Sequence, residues 1–110
     1  MKDLTKTEEI LLLTIWRLKD DAYGVKIRHH ISDLIGKDFT YGNLYSALSQ
    51  LTKKNYVHKR KEESAPARRG WKRIYYRPTS DGLKALKAAC EMNENIWGGV
   101  SRYAFDEKTR

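Results

Sequence analysis

The spacing of apolar residues changes near residue 55 of this chain, and that change limits the folds that the chain can adopt. Before it, apolar residues recur every three or four positions, which is the spacing of a buried helix face. After it, two short stretches rich in aromatic and β-branched residues indicate strands, and helical spacing returns after Pro78. A chain of 110 residues has room for one compact domain. The sequence therefore predicts a mostly helical domain of the α+β class.

Two helices are predicted in the first third of the chain. Thr5 and Glu8 have the spacing of a capping box, so the first helix spans about 5–19. The second helix spans about 22–35 and ends at Gly36. Its apolar residues at helical spacing are Val25, Ile27, Ile31, Leu34 and Ile35.

A third helix and a hairpin complete a winged helix-turn-helix. Thr40 caps the helix, which stops at Asn55 because asparagine accepts the left-handed conformation of a helix end. Its expected core stripe is Leu44, Tyr45, Leu48 and Leu51. The hairpin strands are residues 56–61 and 71–77, and the loop 62–70 between them forms the tip of the wing.

A last helix is predicted after the hairpin. Thr79 or Ser80 caps it, and helical spacing continues towards Tyr103. We expect a winged-helix domain over 1–78 and a dimerisation helix with its tail over 79–110, which together make one structural unit.

The last helix carries an apolar seam. Residues at alternating steps of three and four are Leu83, Leu86, Cys90, Asn93, Trp97, Val100 and Ala104. A helix that projects from a finished domain can bury such a seam against a second copy, so we expect a homodimer in which Asn93 fixes the register. The alternative is that the seam packs on the first helix of its own chain. Gly98 and Gly99 predict a kink or a close helix approach.

The net charge of +8 is concentrated between Lys53 and Arg77. This stretch holds ten basic residues and two acids, while bases and acids balance in the rest of the chain. Concentrated positive charge attracts a polyanion such as duplex DNA. The residues expected to contact it from the hairpin are Arg68, Arg69, Lys72 and Arg73. The alternative is a solvated hairpin that its charges keep soluble.

The aromatic residues of the second strand alternate between its two faces. Trp71 and Tyr75 share one face, and Ile74 shares the other with Tyr76, so one of the two groups is expected in the core. Stacking of a single-stranded nucleic acid on the other group is the alternative use of that face.

The third helix has a polar face without acids. Once the core stripe is assigned inward, the side chains left for a duplex are Tyr41, Asn43, Ser46, Gln50 and Lys53. Asparagine and glutamine can pair with adenine, and lysine suits guanine or phosphate. The alternative is an ordinary solvated helix face.

Several other classes of function lack support in the sequence. Cys90 has no second cysteine for an internal disulfide or a zinc cluster, which favours a reduced cytoplasm. His29 and His30 are adjacent and point about 100° apart, so they do not form a metal pair. The longest apolar run, residues 10–16, is far shorter than a membrane span. We therefore expect no metal, no cofactor, no membrane contact and no enzymatic activity.

Three stretches of the chain resemble PadR-like transcriptional regulators. Gly42, Leu44 and Tyr45 of the third helix, the turn at residues 23–24 and the stretch at residues 73–82 are similar to that family. The resemblance covers about residues 5–104. The departures are Asn55, where the family usually has glycine, and Pro78, where an aliphatic residue is common.

The resemblance implies a homodimeric repressor, often relieved by a small aromatic or hydrophobic molecule. Some compact members bind planar aromatic drugs between tryptophans at the dimer centre. When the chain is lined up with these members from the stretch at Tyr75 and Tyr76, Asn93 takes the position of their tryptophan, and Trp97 falls about one helical turn later. Trp97 is thus a candidate both for dimer packing and for effector binding.

The combined expectation is a regulator that binds double-stranded DNA. A dimer would place two recognition helices one duplex turn apart on a palindromic operator. The alternative is a winged-helix interaction module whose basic hairpin docks an acidic protein.

Overall fold

The computed structural model describes residues 2–62 and 73–106. Its elements in chain order are α1 (Lys6–Leu18), a 3-10 turn (Lys19–Asp21), α2 (Gly24–Ile35), α3 (Tyr41–Lys53), β1 (Val57–Lys61), β2 (Ile74–Pro78), α4 (Ser80–Trp97) and a second 3-10 turn (Arg102–Phe105). Three helices, an antiparallel pair of strands and a further helix form the winged helix-turn-helix that the sequence predicts. The hairpin residues Arg68, Arg69, Trp71 and Lys72 lie outside the described residues.

Local caps set where the first three helices begin and end. Thr5 Oγ1 accepts a hydrogen bond from the Glu8 backbone N–H at 3.2 Å, and the Glu8 carboxylate accepts one from the Thr5 N–H at 2.7 Å, which confirms the capping box. Gly36 and Asn55 follow the ends of α2 and α3 with left-handed φ angles of 71° and 62°. Both predicted helix ends are confirmed.

The core lies between the first three helices and the inner face of the hairpin. Its largest fully buried apolar side chains are Leu11, Leu12, Ile15, Ile27, Ile31, Leu44 and Leu51. Burying one such side chain contributes about 1.5–3 kcal/mol. Helices of 12 or 13 residues are marginal on their own, so this burial is what holds α1, α2 and α3 in place.

The edges of the predicted helix stripes are exposed. Val25 and Leu34 of α2 are 58% and 56% exposed, and only Ile27 and Ile31 of that helix are buried. The placement of Tyr45 in the core of α3 is wrong, since Tyr45 is 52% exposed and Ala47 is buried instead. Side chains at the margin of a helix's apolar face remain exposed where the neighbouring elements do not cover them.

The hairpin has one face towards the helices and one face outward. In the register, Lys59 is opposite Tyr76 and Arg60 is opposite Tyr75. Val57 and Tyr76 are buried, so their face packs on the helices. A single bridge between Tyr23 and Tyr75 adds the start of α2 to the edge of β2.

The last helix is shorter than predicted. α4 ends at Trp97, and the chain turns at Gly98 and Gly99, where the Val100 N–H donates to the Trp97 carbonyl at 2.9 Å. Gly99 has a φ of 77°, which favours glycine. The prediction that the helix continues towards Tyr103 is wrong, because the two glycines end it rather than kink it. Val100 and Ala104 therefore lie outside α4.

No helix within residues 2–62 and 73–106 has both the length and the apolar character that crossing a membrane requires.

Candidate DNA-binding surface

Helix α3 separates a buried apolar face from an exposed polar face. Its buried residues are Leu44, Ala47, Leu48 and Leu51. All five side chains predicted for DNA contact are exposed, and four of them share this polar face, namely Asn43, Ser46, Gln50 and Lys53. Tyr41 lies at the start of α3 on a different side from Asn43, since residues two apart on a helix do not face each other. Because α3 contains no acid, this face can approach phosphates without charge repulsion and can offer amide and hydroxyl groups to base edges.

The turn that leads into α3 is anchored to α2. Thr40 Oγ1 caps α3 by accepting the Asn43 backbone N–H at 3.1 Å. The buried Phe39 donates its backbone N–H to Ser32 Oγ at 3.0 Å. These bonds fix the start of α3 relative to α2, as precise reading of a groove requires.

Tyr45 lies beside this polar face and was missed by the sequence reasoning. Its ring is stacked on Tyr41, with the centroids 6.2 Å apart and an interplanar angle of 16°. Its hydroxyl reaches the start of α2, where a Cβ atom on Gly24 would be 2.7 Å away. Counting tyrosine as apolar placed it inward, whereas its spacing of four from Tyr41 is the signal that would have paired the rings.

The wing divides its positive charge between two faces. Lys59, opposite the buried Tyr76, and Lys61, opposite the exposed Ile74, share one face of the hairpin and are themselves exposed. Arg60 lies on the other face, with its guanidinium 4.9 Å from the Tyr75 ring centroid. Arg73, predicted to contact DNA, stacks over Tyr23 at 4.3 Å. Cations therefore lie on both sides of the hairpin.

The seam of α4 is only partly covered within the chain. Leu86 packs against the core, while Leu83, Trp97 and Val100 are 44%, 54% and 44% exposed. A groove of about 370 Å³ runs between α1 and α4, and its apolar lining comes mainly from Leu13, Trp16, Leu83, Leu86 and Cys90. This groove continues the seam from α4 onto α1 of the same chain.

Polar and aromatic contacts within the chain engage three of the predicted dimer residues. Asn93 Nδ2 donates to Glu9 Oε2 of α1 at 3.0 Å. The Cys90 thiol is 3.6 Å from Glu94 Oε1, and this hydrogen bond raises the pKa of Cys90. The Trp97 ring meets Phe105 edge-on at 6.3 Å. The middle of the seam, at Leu86 and Asn93, thus contacts the rest of its own chain, whereas Leu83 at its start and Trp97 and Val100 at its end stay exposed.

Metal chemistry has no support in the part of the chain that the structure describes, where no cluster of three or more histidines, cysteines or acids is present. His29 instead lies 3.4 Å from Asp33, one turn away on α2.

Comparison with known proteins finds a family model that covers α2, α3, the hairpin and parts of α1 and α4. The sequence model of the transcriptional regulator PadR-like family matches residues 12–88, which is well over half of the chain. No curated protein sequence matches.

Solved structures share the fold along most of the chain. A transcriptional regulator from Clostridium thermocellum is 28% identical, with a TM-score of 0.67 over 82% of this chain and 84% of that one. A PadR family transcription regulator from hypervirulent Clostridium difficile R20291 is 26% identical, with a TM-score of 0.62 over 81% and 88% of the two chains. RosR from H. salinarum is 22% identical, with a TM-score of 0.70 over 98% of this chain and 90% of that one. At this identity the similarity is one of fold.

Proposed function

The chain belongs to the PadR-like family of transcriptional regulators, and we propose that it is a cytoplasmic, homodimeric repressor that binds a palindromic operator. The observation that carries the proposal is the acid-free, exposed face of α3 beside a wing rich in cations. In a winged helix, the third helix enters the major groove and the wing follows the backbone. Here α3 supplies Asn43 and Gln50 for base edges, and the wing supplies the charge.

A homodimer accounts for the exposed residues at both ends of the α4 seam. Leu83, Trp97 and Val100 are large apolar groups that a lone chain leaves in water. A second copy packed along α4 would cover them and would double the α3 surface, which suits a two-fold symmetric operator.

Relief of repression by a small aromatic or hydrophobic effector is the remaining part of the proposal. Trp97 offers a half-exposed aromatic surface at the end of α4. An effector there would compete with Phe105, whose ring packs against Trp97.

The test compares two kinds of variant in salt-titrated binding to the DNA upstream of the protein's own gene and to a scrambled duplex of the same composition. The double variant Arg68→Ala/Arg69→Ala should weaken binding to both duplexes and flatten the salt dependence, because each phosphate contact releases counterions. Asn43→Ala or Gln50→Ala should instead reduce the preference for the upstream duplex, by about 1–3 kcal/mol for a bidentate base contact.

Two outcomes would contradict the proposal. If both kinds of variant change affinity and salt dependence alike, the division of roles between α3 and the wing is wrong. If the protein binds heparin or polyglutamate as tightly as either duplex, a module that docks an acidic protein explains the charge better than an operator does.

A further inference from the structure

Arg28 of α2 is built into the turn that precedes the recognition helix. Its Nη1 donates to Asp38 Oδ1 at 2.9 Å and to the Phe39 carbonyl at 3.3 Å. Its side chain is 26% exposed, and its Nε is buried without a hydrogen-bond partner. The Nη1 of Arg28 therefore binds the residues just before α3, and the side chain does not project freely from the surface.

The same guanidinium covers an aromatic ring on the first residue of α3. The central carbon of Arg28 lies 4.6 Å from the centroid of the Tyr41 ring. Tyr41 in turn stacks on Tyr45, and both rings remain about half exposed, at 43% and 52%. Arg28, Tyr41 and Tyr45, which we term the aromatic stack, thus form a continuous layer of planar groups at the start of α3.

A guanidinium suits this position better than an ammonium. Its planar fork can donate to Asp38 and Phe39 while its central carbon lies over the Tyr41 ring. Such a residue can fix the Tyr41 ring in one orientation and so lower the entropy lost when that ring meets a partner.

We propose that Arg28 is a positioning residue for DNA binding, which acts through Tyr41 and not through its own charge. The inference rests on the proposed function. Held by Arg28, Tyr41 presents the exposed part of its ring and its hydroxyl group to the duplex at the start of α3, while Tyr45 stacks behind it. Tyrosine hydroxyls donate to phosphate oxygens and fix the register of a recognition helix on DNA.

The test uses a duplex that the wild-type protein enriches from a random library, and a scrambled duplex as reference. Arg28→Lys keeps the positive charge but loses the fork and the flat face, so it should weaken binding to the enriched duplex on the order of tenfold. The slope of log affinity against log salt should stay unchanged, because the number of positive charges that neutralise phosphates is the same in the variant. Tyr41→Leu should give a similar loss, and the double variant should be no weaker than Tyr41→Leu alone, because the two residues act as one unit.

Arg17→Gln is the matched control, since Arg17 is an exposed arginine on α1, away from the stack. It should leave both affinities nearly unchanged. Circular dichroism melting of each variant, with binding measured well below the transition, separates loss of fold from loss of positioning.

The inference is overturned by either of two results. One is that Arg28→Lys binds like wild type while Arg28→Gln reduces the salt slope by about one, which would make Arg28 a phosphate contact. The other is that the losses of Arg28→Lys and Tyr41→Leu add in the double variant, so that Arg28 does not act through Tyr41. In both cases wild-type binding to the enriched duplex persists, whereas failure of the proposed function would show as no duplex preference in the wild type itself.

Discussion

Gly82 shows how a single missing side chain can position a helix. It lies in the first turn of α4, where a Cβ atom would be 2.2 Å from the Tyr56 carbonyl oxygen. Its N–H donates to the capping Thr79 Oγ1 at 2.9 Å, and the Thr79 hydroxyl donates to the Asn55 carbonyl at 2.8 Å. The start of α4 is thereby pressed against the backbone that joins α3 to β1, and only glycine leaves room for this.

Gly82→Ala should lower the free energy of unfolding by about 3 kcal/mol, because the added methyl group meets backbone rather than a flexible side chain. Urea denaturation followed by circular dichroism measures the change. Gly42→Ala is the control, because a Cβ there meets only Thr40 Oγ1 at 3.8 Å, and an alanine within a helix should raise stability by up to about 1 kcal/mol. Equal effects of the two substitutions would refute the role given to the Tyr56 carbonyl.

At the scale of elements, a buried ion pair joins the start of α1 to the end of α3. Lys54 Nζ donates to Glu8 Oε1 at 2.6 Å and to the Asp3 carbonyl at 2.9 Å, and Glu8 is only 3% exposed. Burial by itself raises the pKa of Glu8, but the hydrogen bonds from Lys54 and from the Thr5 backbone outweigh it and hold the pKa below its ordinary value of 4.5. The carboxylate thus helps to set the position of α3 from its far end.

Since the pKa of Glu8 is lower in the folded state than in the unfolded chain, its stabilisation is present at neutral pH and is lost as the pH falls through the folded-state pKa. Glu8→Gln should lower stability at pH 7 by about 1–3 kcal/mol, because it removes a charged hydrogen bond while keeping the capping box. As the pH falls through the folded-state pKa of Glu8, the stabilities of the variant and the wild type should converge. Asp33→Asn, which alters an exposed carboxylate, should have nearly the same free energy of unfolding as the wild type from pH 7 to pH 3. A constant difference between Glu8→Gln and wild type from pH 7 to pH 3 would rule out this linkage.

At the scale of the whole molecule, apolar groups are exposed at both ends of the α4 seam, and this exposure limits what one chain can do alone. One chain presents one α3, and a two-fold operator needs two. The groove between α1 and α4 and the open part of the seam face solvent together, so a second copy that covers them would also set the distance between the recognition helices.

The molar mass of the wild-type protein, measured by light scattering in solution, should therefore be twice the chain mass of 12.9 kDa. Leu83→Glu places a charge in the apolar groove and should shift the protein to a monomer that still shows native circular dichroism. Lys84→Glu changes charge at the next residue, away from that groove, and should stay dimeric. A wild-type protein that runs as a monomer at micromolar concentration would refute the dimer.

The order of elements and most of their ends follow from the chain's own pattern. The capping box at Thr5, the helix ends at Gly36 and Asn55, and the strand period after residue 55 each depend on residues close in sequence. Local conformational preferences of this kind are encoded by the residues themselves. The exposure of Asn43 and Gln50 follows in the same way, once Leu44, Leu48 and Leu51 are assigned to the core.

The tertiary structure decided what each ambiguous side chain packs against. Tyr45 is amphipathic, and it lies outward, where its ring stacks on Tyr41 and its hydroxyl reaches the start of α2. The spacing of the seam predicts Asn93 at a dimer contact, but in the folded chain its amide donates a hydrogen bond to Glu9 of α1 at 3.0 Å. Arg28 has no distinguishing signal in the sequence, because its role depends on the turn at Asp38 and on the ring of Tyr41, which only the crossing of α2 and α3 brings together. Sequence period fixes which side of an element is apolar, whereas contacts between elements distant in the chain are set by how the packed helices meet.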